Sequence, residues 1–464
     1  MHYVPNTSEE QQAMLEQLGL SSMEDLLETV PANVRLERPL ALPKALSEPD
    51  LKRQLNKMAA KNKNIDTTIS FLGAGTYDHV IPSVVPHLQH RSEFVTSYTP
   101  YQPEVSQGML QAIYEFQTMV CQITGLDIAN ASLYDGSTAM VEAVLMALGP
   151  GGRGEVVISQ GVDPQYRRVL HTYAFSRGFQ IKEVPTSNGV TPIEALEAAV
   201  SPTTAAVIVQ QPNFFGCIEN VHAIERVAHK GKALFITTIT EPASLGILAA
   251  PGEYGADIAI GELMSFGNTM SYGAPALGFI ASKQKFMRLL PGRLVGQTLE
   301  ESDKQQTGYV LTLQTREQHI RRERATSNIC TNQSLLAVGA TIYMAALGKQ
   351  GFSELGELCL QKAHYAFRQI TALPGFEAAF TSPFYDEFVV KLPVTSAELQ
   401  QHFEQADMIG GYPLGESYPG MDNSMLFCVT ETRTKEDIDA LVAVLKSATV
   451  DTASTHKEVE EVKV

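Results

Sequence analysis

From about residue 65, short apolar runs alternate with amphipathic helical stretches, and this alternation limits the possible folds more than any other feature. The runs EVVISQ, AAVIVQQ, ALFITTI and DIAIGE are separated by stretches such as STAMVEAVLMAL and IENVHAIERVAHKG. A short apolar run bounded by turn residues is typical of a buried strand, and strand followed by helix, repeated, is typical of a mainly parallel sheet. The pattern therefore predicts a large α/β domain over residues 65–330.

The region before this domain, residues 1–64, is predicted to form short helices in an N-terminal arm. Two capping boxes, Thr7-x-x-Glu10 and Ser21-x-x-Glu24, mark helix starts, and Ser47 opens a further helix. Gly19 and Pro31 separate these short helices, so we expect an arm and not a separate core.

The region after the large domain is predicted to be a smaller α+β domain, residues 331–450. A long helical pattern leads to the candidate strands EFVVKLP and MLFCVTE and to a last helix, KEDIDALVAVLKSA. The remaining residues, 451–464, are polar and are predicted to be a disordered tail.

Composition excludes several classes of protein. The net charge is −16 with no basic stretch, which argues against a nucleic-acid surface. No window approaches the roughly 18 apolar residues of a spanning helix, and the N-terminus resembles no secretory signal. The cysteines are odd in number and in no metal-ligand spacing, so we expect a reducing cytoplasm and no metal site; they are Cys121, Cys217, Cys330, Cys359 and Cys428.

The segment SLYDGSTAMVEAVLMAL is a candidate phosphate-binding helix start. Gly136, Ser137 and Thr138 lie at the start of a strongly apolar helix, where free backbone N–H groups and two hydroxyls could donate to a phosphate. Asp135 before them is also an ordinary helix cap. From these residues alone, both a structural cap and a phosphate site remain open.

A second candidate segment, SYTPYQPEVSQG, combines phenols, an amide and a carboxylate between two prolines. Its polar and aromatic members are Tyr98, Tyr101, Gln102 and Glu104. Proline restricts the backbone, so these side chains are held in a fixed arrangement. A ligand-facing loop and a structural loop whose rings serve as packing are both open.

A third segment, LQTREQHIRRERATSNICTNQ, carries four arginines and His319 before a polar run. The charged part is typical of a solvated helix face. The polar run that follows consists of Thr326, Ser327 and Asn328, and its small hydroxyl and amide groups are candidate ligand contacts.

Six long strings resemble the glycine cleavage P-protein family, in its N-terminal half or separate subunit 1. They are YTPYQPEVSQG, QTMVCQITGLDIANASLYDG, QQPNFFG, LPGRLVGQT, YVLTLQTREQHIRRERATSNICTNQ and YDEFVVKLP. The resemblance extends from the arm to about residue 447. It implies the fold type I architecture of pyridoxal-phosphate-dependent transferases, similar to aspartate aminotransferase, with a large seven-stranded sheet domain and a small C-terminal α+β domain.

The resemblance also implies that this chain lacks the lysine that holds the cofactor. In the lysine-bearing partner, one strand ends in Asp-Gly-Ala-Asn and a second reaches Asn-Leu-His-Lys-Thr. The corresponding residues here are 240–244 and 262–266, so Ser265 takes the place of the lysine and Glu241 that of the acid opposite the pyridine nitrogen. A hydroxyl cannot form an imine with an aldehyde cofactor. Pyridoxal phosphate is therefore expected on the partner subunit.

The active sites of such dimers lie at the subunit interface, so the resemblance assigns roles across it. Tyr98, Tyr101, Gln102 and Glu104 would line the partner's site, and Thr326, Ser327 and Asn328 would reach the cofactor phosphate. The degenerate pocket of this chain would be marked by Gly136, Ser137, Thr138, Glu241 and Ser265.

The activity implied by the resemblance is that of glycine dehydrogenase (aminomethyl-transferring), an oxidoreductase of glycine catabolism. Glycine is decarboxylated, and the aminomethyl group passes to the lipoyl group of the H-protein. The implied assembly is a cytoplasmic heterotetramer (α₂β₂) with the lysine-bearing subunit 2. Two alternatives remain at this point: a self-sufficient pyridoxal-phosphate-dependent aminotransferase or lyase homodimer, and a non-catalytic scaffold subunit.

Overall fold

A computed structural model of the chain describes residues 6–149, 153–271, 275–299 and 306–461, with side chains described up to Ala448. The chain divides into two compact units, Met1–Lys63 and Asn64–Val464. Within the described residues, each helix is too short or too polar to cross a membrane.

The first unit contains three helices: α1 (Ser8–Gln17), α2 (Met23–Leu27) and α3 (Glu48–Ala59). The capping box of Thr7 and Glu10 is confirmed, as is the start of α3 after Ser47. The predicted box of Ser21 and Glu24 is wrong by one residue. Ser22 is the cap, because the shorter carboxylate of Asp25 accepts hydrogen bonds from the backbone N–H groups of both Ser21 (2.7 Å) and Ser22 (2.8 Å).

The second unit contains the sheets. Its strands are β1 (Ile69–Ser70), β2 (Ile128–Ala129), β3 (Glu155–Ser159), β4 (Gln180–Val184), β5 (Thr204–Gln210), β6 (Leu234–Ile239), β7 (Ile258–Glu262), β8 (Gly278–Ser282), β9 (Leu294–Leu299), β10 (Thr307–Thr312), β11 (Glu377–Ala378), β12 (Glu387–Lys391), β13 (Met408–Ile409), β14 (Tyr412–Pro413) and β15 (Ser424–Cys428).

Helices of the second unit cover the sheets and connect the strands. They are α4 (Val84–Gln89), α5 (Ser92–Val95), α6 (Gln107–Thr124), α7 (Gly136–Leu148), α8 (Pro164–Arg177), α9 (Ile193–Ala199), α10 (Val221–Lys230), α11 (Gln318–Arg321), α12 (Ser334–Thr371), α13 (Ser396–Gln405) and α14 (Lys435–Glu461). A kink divides α12 at Gly348, whose φ of 61° is a conformation that glycine adopts without steric cost.

The largest sheet has seven strands in the described part of the chain, in the order β2-β8-β7-β6-β5-β3-β4. Strands β4, β3, β5, β6 and β7 run parallel, β8 pairs antiparallel with β7, and β2 at the edge pairs antiparallel with β8. The predicted mainly parallel sheet is confirmed. It could be predicted because parallel strands joined by helices are buried on both faces and therefore consist of apolar runs. The antiparallel strand β8 was not predicted.

Helix α7 lies at the centre of the large core. Its side chains Val141 and Val144 are fully buried in one cluster with Ile158 of β3 and Ile208 of β5. The glycine at its start allows close approach, because a Cβ atom on Gly136 would lie 2.0 Å from the Tyr166 hydroxyl. The helix start is thereby held beside the carboxyl ends of the parallel strands.

A second sheet, antiparallel in the order β11-β12-β15-β14, follows α12 and packs on α12, α13 and α14. The two strands predicted here are confirmed as β12 and β15. Helix α14 continues to Glu461, and residues 462–464 lie outside the described residues, so the disordered tail over 451–464 stays a prediction. The segment contains neither glycine nor proline and is rich in Lys and Glu, which favour a helix.

Candidate functional site

One cavity lies at the carboxyl ends of the parallel strands, beside the start of α7. Of the residues expected to mark the chain's own pocket, Ser137 lines this cavity, whereas Glu241 and Ser265 do not. The cavity has a volume of about 440 Å³ and is lined among others by Asp135, Ser137, Asp163, Tyr166 and Glu262. Three of these side chains are carboxylates, and burial raises the pKa of Glu262 to about 7, although three backbone N–H groups donate to it. The cavity is therefore lined by three carboxylates, of which Glu262 is partly protonated at neutral pH, and by the side chain of Arg168.

The start of α7 is already satisfied by the protein's own carboxylates. Asp135 accepts hydrogen bonds from the backbone N–H groups of Ser137 (3.1 Å) and Thr138 (3.2 Å), and from both of their hydroxyls. The N–H of Gly136 donates to Oε2 of Glu262 at 3.1 Å. The donors that a cofactor phosphate would need are therefore engaged, and the residues present here do not fit a phosphate.

Ser265 lies in the turn after β7 and is 6% exposed. Its hydroxyl oxygen is buried and has no hydrogen-bond partner among the described residues. The lysines nearest in sequence are engaged at the other end of β7, where Asp257 Oδ1 lies 3.0 Å from Lys283 Nζ and 3.4 Å from Lys285 Nζ. Because five strand residues span roughly 16 Å, neither amine serves this pocket.

Glu241 follows β6 and is bound to a histidine that the sequence analysis did not single out. Nε2 of His79 lies 3.2 Å from each carboxylate oxygen of Glu241, and Nδ1 lies 2.6 Å from Oε2 of Glu431. An imidazole whose two nitrogens both face carboxylates is a double donor and therefore cationic. The acid that the resemblance assigns to a pyridine nitrogen is thus occupied by a side chain of the same chain.

Two more carboxylates, Asp386 and Glu387, complete a group that we call the buried ion cluster, with His79, Glu241 and Glu431. Burial lowers the pKa of His79, but both acids outweigh this and leave it well above its ordinary value. Burial raises the pKa of Asp386 and brings that of Glu387 to about 8, although the Ala74 N–H and the Tyr77 hydroxyl donate to Glu387. Four acids and one cation make this interior strongly dependent on protonation.

The replacement Glu387→Gln is expected to weaken the loss of stability at rising pH. A carboxyl whose pKa is about 8 when folded, against about 4.3 when unfolded, stabilises the fold when protonated, and this contribution is lost as pH rises between those values. The free energy of unfolding is measured with urea at several pH values between about 5 and about 8. Its decrease with rising pH should be smaller in the variant than in the parent by up to about 1.4 kcal/mol per pH unit. The matched control is Glu377→Gln, an exposed position on β11. If the free energy of unfolding decreased equally with pH in both variants and in the parent, the raised pKa of Glu387 would be contradicted.

His79, Glu431 and Cys359 are also close enough to hold a metal ion, with ligand atoms within 4.8 Å of one another. Sequence spacing did not indicate them, because folding brings them together from three distant segments. Hydrogen bonds join all three groups: besides the His79 contact, the Cys359 thiol donates to Oε2 of Glu431 at 3.5 Å. His79, Glu431 and Cys359 therefore form a hydrogen-bonded group of side chains.

Residues 98–104, which we call the aromatic loop, are fixed by hydrogen bonds on one side and exposed to solvent on the other. Tyr98 is 81% exposed and Tyr101 is 50% exposed, and Gln102 and Glu104 are also exposed. Gln107 anchors the loop, because its amide donates to the Pro103 carbonyl and to the Tyr309 carbonyl of β10, both at 2.9 Å. The loop thus presents phenols and a carboxylate on a fixed backbone.

Arg293 supports Tyr101 and was missed by the sequence analysis. Its Nη2 donates to the Tyr101 hydroxyl oxygen at 2.9 Å, and its guanidinium carbon lies 5.0 Å from the centre of the Tyr101 ring. The signal available in the sequence was an arginine in the run KFMRLLPGRLVGQT, which contains no acid. Residues this polar in an otherwise apolar setting are often functional.

Ser327 of the predicted polar run contacts Glu142 of α7. Thr326 and Asn328 are exposed, whereas the Ser327 hydroxyl accepts a hydrogen bond from the Ile329 N–H at 3.1 Å. Burial raises the pKa of Glu142 on α7 to about 7, and the Ser327 hydroxyl opposes this shift. The segment continues to Asn332, whose side-chain oxygen lies 3.4 Å from Nη1 of Arg293. Asn332, four residues after the polar run, and Tyr101 of the aromatic loop thus contact the same arginine.

The arginine run before residue 326 is only partly a solvated face. Arg321, Arg322 and Arg324 are exposed, as predicted. Arg316 instead is partly buried and donates from Nη2 to the Gly292 carbonyl at 3.1 Å and from Nε to the Leu313 carbonyl at 3.1 Å. It ties the end of the β9–β10 hairpin to the residue before Arg293.

Comparison with known proteins is consistent across nearly the whole chain. A model of the family described as "Glycine cleavage system P-protein" matches residues 1–445. A probable glycine dehydrogenase (decarboxylating) subunit 1 of Moorella thermoacetica is 52% identical over 446 residues, covering 96% of this chain and 99% of that protein. The same description applies to a protein of Brevibacillus brevis that is 52% identical over 448 residues, with 96% and 99% coverage.

Solved structures agree with these relatives. A crystal structure of glycine decarboxylase (P-protein) of the glycine cleavage system, in inhibitor-bound form, has a TM-score of 0.87 and 42% identity, covering 97% of this chain and 100% of that chain. A NifS-like protein has a TM-score of 0.62 at 14% identity, covering 82% of this chain and 99% of its own, a likeness of fold alone. The predicted fold type I architecture is therefore confirmed. This chain belongs to the glycine cleavage system P-protein family.

Proposed function

We propose that this chain is the subunit of glycine decarboxylase that does not bind the cofactor covalently and that completes the active site of a lysine-bearing partner. The observation that supports this proposal is the contrast between the expected cofactor pocket and the aromatic loop of the same chain. The donors at the start of α7 are engaged by Asp135 and Glu262, Glu241 is paired with His79, and Ser265 stands where the resemblance places the cofactor lysine. The aromatic loop, by contrast, is fixed by hydrogen bonds yet exposed.

In this proposal the reaction is decarboxylation of glycine, and pyridoxal phosphate on the partner supplies the electron sink for the electron pair left as carbon dioxide departs. Tyr98, Tyr101, Gln102 and Glu104 line the partner's site, orient glycine and exclude water. Positioning of this kind is a large part of what enzymes contribute to rate. Thr326, Ser327 and Asn328 would contribute hydroxyl and amide donors to the partner's cofactor phosphate.

The proposed assembly is an α₂β₂ heterotetramer with subunit 2, and the proposed acceptor of the aminomethyl group is the lipoyl group of the H-protein. Both relatives are named subunit 1 of their enzyme, which supports a second subunit. We further propose a cytoplasmic location, which is supported by cysteines that form no disulfide in the structure.

Borohydride reduction in the presence of pyridoxal phosphate tests the proposal. The isolated chain is expected to show no absorbance of a lysine-bound cofactor and no reduced adduct by mass spectrometry, because a serine cannot form the imine. Mixed with subunit 2, the adduct should appear on subunit 2 alone, and glycine–bicarbonate exchange should require both chains.

The same experiment on the variant Ser265→Lys tests whether a lysine at this position is sufficient to bind the cofactor. Ser265→Lys is expected to remain without a stable cofactor adduct, because Asp135 and Glu262 still occupy the donors at the start of α7. A reduced adduct on the unmodified chain alone would refute the proposal and favour the self-sufficient homodimer.

A further inference from the structure

Arg293 is a buried cation without a counterion in the described part of the chain. It is 3% exposed, no carboxylate among the described residues forms a salt bridge with it, and its Nε has no hydrogen-bond partner there. Two other poorly exposed arginines are paired with carboxylates: Arg433 Nη2 lies 2.7 Å from Asp78 Oδ2, and Arg167 Nη1 lies 2.9 Å from Glu183 Oε2. A desolvated guanidinium is unfavourable unless an anion compensates it.

The contacts of Arg293 fix its orientation and direct its charge towards the aromatic loop. Asn332 holds one side, with its oxygen 3.4 Å from Nη1, and is itself fixed because its amide donates to the Ala131 carbonyl and the Ser132 hydroxyl, both at 3.1 Å. On the other side Nη2 donates to the Tyr101 hydroxyl at 2.9 Å. The guanidinium is thus held by neutral groups on both sides.

This arrangement determines what Tyr101 can do. Its hydroxyl oxygen accepts a hydrogen bond from Arg293, so its own O–H hydrogen is available to donate elsewhere. Tyr101 is half exposed, whereas the arginine beneath it is not. A phenol that donates outward, with a desolvated cation directly behind it, favours an anionic acceptor.

We propose that Tyr101 and Arg293 form the subsite for the carboxylate of the amino-acid substrate in the composite active site. Tyr101 contacts the carboxylate, and Arg293 is a positioning residue that orients the phenol and supplies the positive charge. The inference rests on the proposed function, because the substrate is bound mainly by the partner subunit. Its chemical reason is that glycine brings one anionic group that must be held while the amine reacts.

The experiment compares two amines on the assembled complex: glycine, and methylamine, which lacks the carboxylate. Their dissociation constants are measured from the absorbance of the partner's cofactor. In Arg293→Met and Tyr101→Phe, the constant for glycine is expected to rise about 10- to 100-fold, as for loss of a hydrogen bond to a charged group, with methylamine unchanged. Arg293→Lys, which keeps the charge, should recover part of the affinity.

The outcomes separate this inference from its alternatives. Equal weakening of glycine and methylamine would show a structural role and overturn the subsite, and so would unchanged affinity for both. Loss of assembly with subunit 2, measured by sedimentation, would indicate that a carboxylate of the partner pairs with Arg293 and would likewise overturn it. If subunit 2 alone bound both amines as well as the complex does, the proposed function itself would fail. Thermal unfolding of each variant, with the lysine variant as the conservative form, controls for misfolding.

Discussion

Replacing His79 with alanine is expected to lower the free energy of unfolding by about 3–5 kcal/mol at neutral pH, the usual cost of removing one partner from a buried ion pair. The side chain of His79 is fully buried, and those of Glu241 and Glu431 are 3% and 9% exposed. Without the imidazolium, two desolvated carboxylates lose their cation while Asp386 and Glu387 remain nearby. Urea unfolding followed by circular dichroism measures the change.

Two further variants show whether the loss of stability is due to the charge of His79. His79→Gln keeps a donor but not the charge and should lie between the parent and the alanine variant. His87→Ala, at an exposed position on α4, is the matched control and should change stability by less than about 0.5 kcal/mol. A loss below about 1 kcal/mol for His79→Ala would mean that the cluster contributes little to stability.

Tyr98→Ala should lower glycine–bicarbonate exchange by the assembled enzyme about 100-fold, a loss typical of removing one positioned group from an active site. Because Tyr98 is 81% exposed, the stability of this chain itself should not change. A tyrosine this exposed on a proline-restricted loop is well suited to contact a partner. Exchange kinetics at several glycine concentrations, with sedimentation of the mixed subunits, measure the two effects separately.

The control is Phe175→Ala on α8, an aromatic residue that is 93% exposed and lies outside the aromatic loop. It should leave exchange unchanged. Tyr98→Phe separates the hydroxyl from the ring, and Glu104→Gln tests the carboxylate of the same loop. If exchange were normal in every variant of residues 98–104, this chain would be a scaffold and the proposed composite site would be wrong.

The periodicity of the sequence was sufficient to predict most of the large sheet. β3, β5, β6 and β7 are buried on both faces, so their residues are almost all apolar and the runs are visible without any tertiary information. β4 was missed because it lies at the sheet edge, where QIKEV needs only one apolar face. The hairpin of β9 and β10 was missed because its outer half is exposed and lacks an apolar run.

The sequence by itself determined the mainly parallel architecture and the aromatic loop as an unusual polar segment, and its family resemblance predicts a serine where a cofactor lysine would lie. Only the tertiary structure decided which groups surround them. His79 and Glu241 lie 162 residues apart, and Tyr101 and Arg293 lie 192 apart, yet each pair is hydrogen-bonded. Local patterns report the periodicity of one element and the burial of its faces. The pairing of charges from distant segments depends on how the sheet and its crossing helices are packed. This packing is what pairs Glu241 with His79 and leaves a cation beneath the aromatic loop.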